Sequence, residues 1–149
     1  MDPNETLERL LGLFEELAEA SQSIPVIVEG RNDKKALEEL GIHGMIVVLN
    51  DGHSVLRTCE DLSEDHRTAI IMTDWDHKGG QLSRRLIDAL ESCDMKFDND
   101  LRARISYLAK KETKDVEGLP AYVRRLRDSV DRSASGMGGL RRAFSGKPA

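Results

Sequence analysis

The chain has 149 residues and a mass of 16.7 kDa, enough to bury a hydrophobic core within one domain. Hydrophobic residues make up 39% and charged residues 33%, which excludes wholesale disorder, and no apolar run approaches the roughly 20 residues of a membrane span. With no signal-peptide pattern at the N-terminus, this composition predicts a cytoplasmic protein that does not bind membranes. The net charge of −5 is unevenly spread, since seven Lys or Arg and two Asp lie from Arg124 onward, and a basic end on an acidic body is found in proteins that contact nucleic acid.

The first predicted element is an amphipathic helix within residues 1–22. Asp2 is suited to the N-cap and Pro3 to the first helical position. Apolar residues then follow at helical spacing, namely Leu7, Leu10, Leu11, Phe14, Leu17 and Ala18. This apolar stripe must pack on a sheet or on a partner subunit, so a homodimer through the helix is one of the two arrangements expected.

Strands and helices alternate along the rest of the chain. Short apolar runs predict strands at residues 24–28, 45–49, 68–73 and, more weakly, 105–108. Helical spacing predicts helices at residues 33–40, 54–62, 81–92 and 119–130, and Asn50-Asp51-Gly52 is typical of a turn. This order predicts an α/β domain over residues 23–131, with a four-stranded, mainly parallel sheet flanked by helices, and a flexible basic tail over residues 132–149.

Carboxylates follow the first and third predicted strands, where ligands of parallel sheets bind. The apolar run before Asp74-Trp75-Asp76 ends in two like charges whose side chains tend to point to the same side. A hard cation such as Mg²⁺ would relieve their repulsion. The alternative is that one Asp caps the next helix and the other is solvated. Glu29 favours the metal, because a charge ending so apolar a run is poorly explained by packing.

Other residues near these strand ends either belong to the site or have a purely structural role. Asp33 either joins the acidic cluster or interacts with the N-terminus of its own helix. Gly79 and Gly80 precede the predicted helix 81–92, whose free N–H groups would suit a phosphate, or they form a plain glycine loop. Basic side chains at this end of the sheet would bind phosphates or remain solvated: Lys34, Lys35, Lys78, Arg84 and Arg85. Trp75 would pack or contact a base.

The order of these motifs resembles the Toprim domain over about residues 24–109. The resemblance rests on E-G-x-x-D from Glu29 to Asp33, and on D-x-D from Asp74 to Asp76 with a glycine three residues later. It implies a three-layer, Rossmann-like fold in which Glu29 is the general acid/base or a metal ligand and the two Asp bind Mg²⁺, with Mn²⁺ as a substitute. Arg31 stands where related nucleases often have lysine, and Trp75 where they often have proline.

The segment "TKDVEGLP", residues 113–120, is similar to the one that follows the core in small stand-alone archaeal Toprim proteins. The 5S ribosomal RNA maturase nucleases are the related enzymes that the resemblance indicates. It therefore implies a Mg²⁺-dependent phosphoryl-transfer protein acting on nucleic acid, RNA in preference to DNA. The positive groups Arg31, Lys34, Lys78 and Arg84 would hold the backbone.

Two other functions remain as alternatives. A non-catalytic binding or assembly module, like the recombination-mediator proteins, would keep the same fold. A haloacid-type phosphatase would need its D-x-D on the first strand, whereas here it follows the third. Topoisomerase chemistry is disfavoured because Tyr107 and Tyr122 are both predicted to pack in the core. A replicative primase is disfavoured because the sequence shows neither a zinc-binding module nor a helicase module.

Overall fold

The computed structural model describes residues 1–49 and 52–145, with side chains through Ala134. The helices in these residues are α1 (Pro3–Ala20), α2 (Arg31–Glu39), α3 (Val55–Ser63), α4 (His77–Ser92), α5 (Asp100–Ala109) and α6 (Leu119–Ser145). The strands are β1 (Val26–Val28), β2 (Ile46–Val48), β3 (Thr68–Ile71) and β4 (Lys96–Asp98). None of the helices in this part of the chain combines the length and the apolar character needed to cross a membrane.

The strands form one parallel sheet in the order β2-β1-β3-β4. Val26 is in register with Ile46 on one side and with Ile70 on the other, and Ala69 is in register with Phe97 at the far edge. The predicted α/β fold is therefore confirmed, and β1 and β3 are adjacent. Asn50 and Asp51 of the predicted turn lie outside the described residues, whereas Gly52 has the positive φ of 98° that a turn glycine supplies.

The sheet is buried on both faces, which produces three layers. Because side chains alternate along a strand, Val26 and Val28 join one core cluster, and Ile27 joins the other. The first cluster contains side chains of α1, α2, α5 and α6, and the second contains side chains of α3 and α4. The apolar stripe of α1 packs in the first cluster, so the chain covers this stripe itself and no partner subunit is needed to bury it.

The predicted fourth strand at residues 105–108 is wrong. These residues belong to α5, whose buried positions Leu101, Ile105 and Ala109 recur every four residues, as on one face of a helix. The fourth strand is β4, in which Lys96 and Phe97 are exposed. It pairs only with β3 at the edge of the sheet and has no apolar run that the sequence pattern would reveal.

Two further expectations about the C-terminal half are corrected. Tyr107 is 69% exposed on α5, not packed in the core, whereas Tyr122 is buried as predicted. The last helix does not end at Val130 but continues to Ser145, and no proline after Pro120 interrupts it before that point. The flexibility of residues 132–149 remains a prediction, and residues 146–149 lie outside the described part of the chain.

Candidate metal and nucleic-acid site

Glu29 and Asp74 meet because β1 and β3 are neighbours and both residues follow the carboxyl ends of their strands. The Asp74 N–H donates a hydrogen bond of 3.1 Å to Glu29 Oε2. Both residues line a cleft of about 690 Å³, whose charged side chains are Glu29, Arg31, Asp33, Asp74, Lys78 and Glu117. The sequence prediction that these two strand ends would bring carboxylates together agrees with this arrangement.

The Asp74 carboxyl is held in an environment that disfavours its charge. Burial, together with the neighbouring Glu29 and Asp33 carboxylates, raises the pKa of Asp74 to about 8, although the Val116 N–H opposes the shift. That N–H donates to Asp74 Oδ1 at 2.9 Å. Without a cation, the Asp74 carboxyl therefore keeps its proton to a higher pH than an ordinary aspartate does.

Asp33 has a structural role at the start of α2. Its Oδ2 accepts a 3.0 Å hydrogen bond from the N–H of Gly30, the N-cap residue. Burial raises the pKa of Asp33, and Glu29, Glu117 and Asp115 add to the rise, whereas the Gly30 hydrogen bond lowers it. The helix-terminal role is thus present, and the carboxyl also lies within the field of the acidic cleft.

Asp76 is exposed and forms the N-cap of α4, where its Oδ1 accepts from the Gly79 N–H at 2.7 Å. The helix begins at His77, four residues before the predicted start at Gln81. The Gly80 N–H also donates within the helix, to the Asp76 carbonyl at 2.9 Å. The predicted glycine loop before the helix is therefore wrong, since Gly79 and Gly80 lie in the first turn of α4, and part of the Asp76 carboxylate serves as a helix cap. Phosphate binding at this helix end remains a prediction.

Gly79 also has a packing role that the sequence did not predict. A Cβ at this position would collide with the backbone carbonyl group of Asp74. The Gly79 carbonyl also accepts a hydrogen bond from Thr73 Oγ1 at 3.1 Å. Gly79 therefore allows the first turn of α4 to approach the strand end that carries Asp74.

The basic residues divide between the cleft and the surrounding surface. Lys78 and Arg31 line the cleft and are exposed. Lys34 is half-buried on α2, and Arg84 is exposed on α4; neither belongs to the cleft lining. Of the basic residues that the sequence singled out as phosphate-binding, Arg31 and Lys78 are thus the ones that line the cleft.

Sequence reasoning assigned no role to residues 113–118, which pack against the end of β3. The Trp75 indole Nε1–H donates to the Thr113 carbonyl at 2.8 Å, and the Trp75 backbone N–H donates to the Lys114 carbonyl at 3.0 Å. Trp75 also packs against the core cluster that contains α1, which favours its packing role. The segment places Glu117 in the cleft. The signal in the sequence for a role of this segment was its similarity to the archaeal segment. Spacing along the chain could not show that residues about 40 positions after Asp74 pack beside it.

Arg102 was also missed. This half-buried side chain on α5 donates from Nε to the Thr73 carbonyl at 2.8 Å and from Nη2 to the Asp74 carbonyl at 2.6 Å. Nothing in the sequence distinguishes it from other arginines of the chain.

The expected Mg²⁺ would bind to carboxylates of the cleft. Within the part of the chain that the structure describes, no group of three or more His, Cys, Asp or Glu is arranged to hold a metal ion. Mg²⁺, however, commonly binds one or two carboxylates and completes its shell with water and substrate phosphates. The Glu29–Asp74 pair fits such a site, because a cation would offset the burial and the neighbouring carboxylates that raise the pKa of Asp74. Ligation by Asp76 remains a prediction.

A parallel α/β sheet with an acidic residue after β1 and a D-x-D segment after β3 is the arrangement expected of a Toprim domain. The Toprim domain family matches residues 25–108, and the chain belongs to this family. The membership indicates a nucleic-acid-related, metal-binding function.

The most informative relatives are small archaeal proteins. A UPF0292 protein of Methanosarcina barkeri is 34% identical over 122 residues, which are 81% of this chain and 85% of the relative. A UPF0292 protein of Methanocaldococcus jannaschii is 29% identical over 125 residues, which are 84% and 98% of the two chains. A solved structure from Aquifex aeolicus has a TM-score of 0.62 at 26% identity and covers 71% of this chain and 94% of its own. The predicted resemblance to stand-alone archaeal Toprim proteins is confirmed.

Proposed function

We propose that the protein is a Mg²⁺-dependent phosphoryl-transfer enzyme that cleaves RNA, with chemistry like that of the maturase nucleases. The observation that carries this proposal is the contact of Glu29 with Asp74 at adjacent strand ends, in a cleft bordered by Arg31 and Lys78. Such a cleft combines groups for a divalent cation with groups for a phosphate. The preference for RNA over DNA rests on the resemblance to the maturases.

Each residue has a distinct part in an in-line displacement at a phosphodiester. Glu29 and Asp74, together with Asp76 if its second oxygen takes part, would hold Mg²⁺ or Mn²⁺. When bound, the ion would stabilise the charge that develops on the scissile phosphate. Glu29 would also move a proton to or from the reacting oxygen. Arg31 and Lys78 would position the phosphate backbone, which carries no sequence information.

Replacing Glu29 with glutamine tests this chemistry. The amide keeps the shape and an acceptor for the Asp74 N–H but loses the charge and the ability to take a proton. Cleavage of structured RNA should fall by at least about 100-fold if Glu29 is the acid/base, while RNA binding is retained. Glu60→Gln, which alters an exposed glutamate of α3, is the matched control and should cleave like the wild type.

The dependence on metal separates the two roles of Glu29. If Glu29 is mainly a ligand, cleavage and Mn²⁺ affinity fall together in the variant, and raised Mn²⁺ restores part of the rate. If it is mainly the acid/base, the rate falls while Mn²⁺ affinity changes little. Cleavage by the wild type that Glu29→Gln leaves unchanged would contradict the proposal.

A non-catalytic nucleic-acid-binding module is the second candidate. It is favoured by the use of Asp76 as a helix cap, which occupies one oxygen of a predicted ligand, while Arg31 and Lys78 remain available to bind phosphate. This function predicts that the wild type binds RNA but cleaves nothing in a panel of structured RNAs and single-stranded DNAs with Mg²⁺ or Mn²⁺. That result would replace the nuclease proposal.

A further inference from the structure

The Arg102 side chain forms a two-pronged contact with the backbone that carries Asp74. Its Nε–H and one Nη2–H bind the Thr73 and Asp74 carbonyls at 2.8 and 2.6 Å. Both carbonyls lie beyond Ile71, where β3 ends. A planar guanidinium donates two such bonds in fixed directions, so it constrains the path of the chain as it leaves the sheet.

Other contacts hold Asp74 and the next residue, Trp75, from different directions. The Val116 N–H binds Asp74 Oδ1, and the Asp74 N–H binds Glu29 Oε2. The Trp75 N–H binds the Lys114 carbonyl. Arg102 is the contact that fixes the carbonyl side of Asp74, and it comes from α5, an element that supplies no side chain to the lining of the cleft.

The charge of Arg102 by itself opposes cation binding. Asp74, Glu29 and Asp76 all interact electrostatically with the guanidinium, and a positive charge close to these carboxylates repels a divalent ion. A benefit to the metal site can therefore come only from geometry. The two effects have opposite signs, which makes them separable by experiment.

We propose that Arg102 is a positioning residue of the metal site, fixing the Thr73–Asp74 backbone so that the Asp74 carboxylate stays beside Glu29. This inference rests on the proposed function, because it assumes that Glu29 and Asp74 bind a divalent cation. Arg102 acts through Asp74 and is itself neither a ligand nor a catalytic residue.

Mn²⁺ binding to the full chain, measured by calorimetry and by the electron paramagnetic resonance of the free ion, tests the proposal. Arg102→Met should weaken Mn²⁺ affinity by about 10- to 100-fold, as loss of groups that orient metal ligands usually does. Arg102→Lys keeps the charge but cannot donate the two parallel hydrogen bonds of a guanidinium, so its Mn²⁺ affinity should lie between those of Arg102→Met and the wild type. Arg104→Met removes the same charge from the same helix, where Arg104 forms exposed ion pairs with Glu16 and Asp100, and should bind like the wild type.

The outcomes distinguish this inference from the function on which it rests. Arg102→Met binding Mn²⁺ as tightly as the wild type, or more tightly, would overturn the positioning role and leave the metal site intact. A wild type that binds no Mn²⁺ would overturn the proposed function and the positioning role together. Thermal melting in EDTA establishes that the variants are folded. If Arg102→Met does not fold, the Mn²⁺ affinity of Arg102→Lys is the test, and an affinity equal to that of the wild type would refute the proposal.

Discussion

Replacing Asp74 with asparagine should stabilise the metal-free protein at neutral and alkaline pH. Burial, Glu29 and Asp33 raise the pKa of Asp74 from 3.8 to about 8. Between these values the unfolded chain has lost the proton that the folded protein keeps, so the free energy of unfolding falls as pH rises from about 4 to about 8. Asparagine keeps an oxygen for the Val116 N–H and cannot ionise.

The size of the effect follows from the same titration. Each pH unit within the window contributes at most about 1.4 kcal/mol. Because Asp74 is only half-buried, solvent screening reduces this contribution, and we expect Asp74→Asn to gain about 1–3 kcal/mol over the wild type at pH 8. The two proteins should converge towards pH 4. Urea unfolding in EDTA across this pH range measures the difference.

Asp88→Asn, at an exposed aspartate of α4, is the control for the loss of a charge. It should show no comparable gain at pH 8. The reasoning fails if Asp74→Asn is less stable than the wild type at pH 8, or if the difference between them is the same at every pH.

Removing the Asp74 and Asp76 carboxylates together should abolish the stabilisation by metal. A ligand that binds only the folded state stabilises it by about 2.7 kcal/mol at a hundredfold excess over Kd. Mg²⁺ or Mn²⁺ should therefore raise the melting temperature of the wild type but not that of an Asp74→Asn/Asp76→Asn double variant. An equal rise in both would place the bound ions elsewhere.

Three other predictions concern neighbouring features. Gly79→Ala should cost about 1–3 kcal/mol because its Cβ meets the Asp74 backbone, whereas Gly80→Ala, with open space around its Cβ, should be neutral or stabilising in the same unfolding assay. Asp76→Ala removes the helix cap and should lower the free energy of unfolding by about 1 kcal/mol, whereas Asp76→Asn keeps a capping oxygen and should lower it much less. Equal losses in the two variants would contradict the capping role. Deleting residues 133–149, which include three Lys or Arg, should lower the salt-dependence slope of single-stranded RNA binding by up to about 2, and an unchanged slope would exclude the tail from the interface.

The sequence was sufficient for the parts of the fold that depend on buried apolar runs. The first three strands follow from such runs, and the rule that ligands bind where parallel strands end singles out Glu29 and Asp74. That these two residues are adjacent depends on the order of the strands, which the sequence left open and the structure supplies. β4 was not predicted, because an exposed edge strand has no continuous apolar pattern. The start of α4 was predicted four residues too late, because Gly79 and Gly80 have low helix propensity. In the structure the Asp76 cap compensates for this low propensity.

The supporting contacts of the site could not be predicted for a different reason. Arg102 and Val116 reach Asp74 across 28 and 42 positions of the chain. Local periodicity contains no information about such pairs, because they depend on how α5 and the segment 113–118 pack in three dimensions. Strand ends can thus indicate where the acidic groups gather, but not which groups hold them in place.

The proposed function requires Glu29 and Asp74 to bind a divalent cation together. Anomalous diffraction from crystals soaked in Mn²⁺ tests it most directly, because the peak locates the ion without reference to activity. We expect a peak at coordination distance from a carboxylate oxygen of both Glu29 and Asp74, and its loss in Asp74→Asn crystals. Fully soaked wild-type crystals with no peak between these two carboxylates would contradict it.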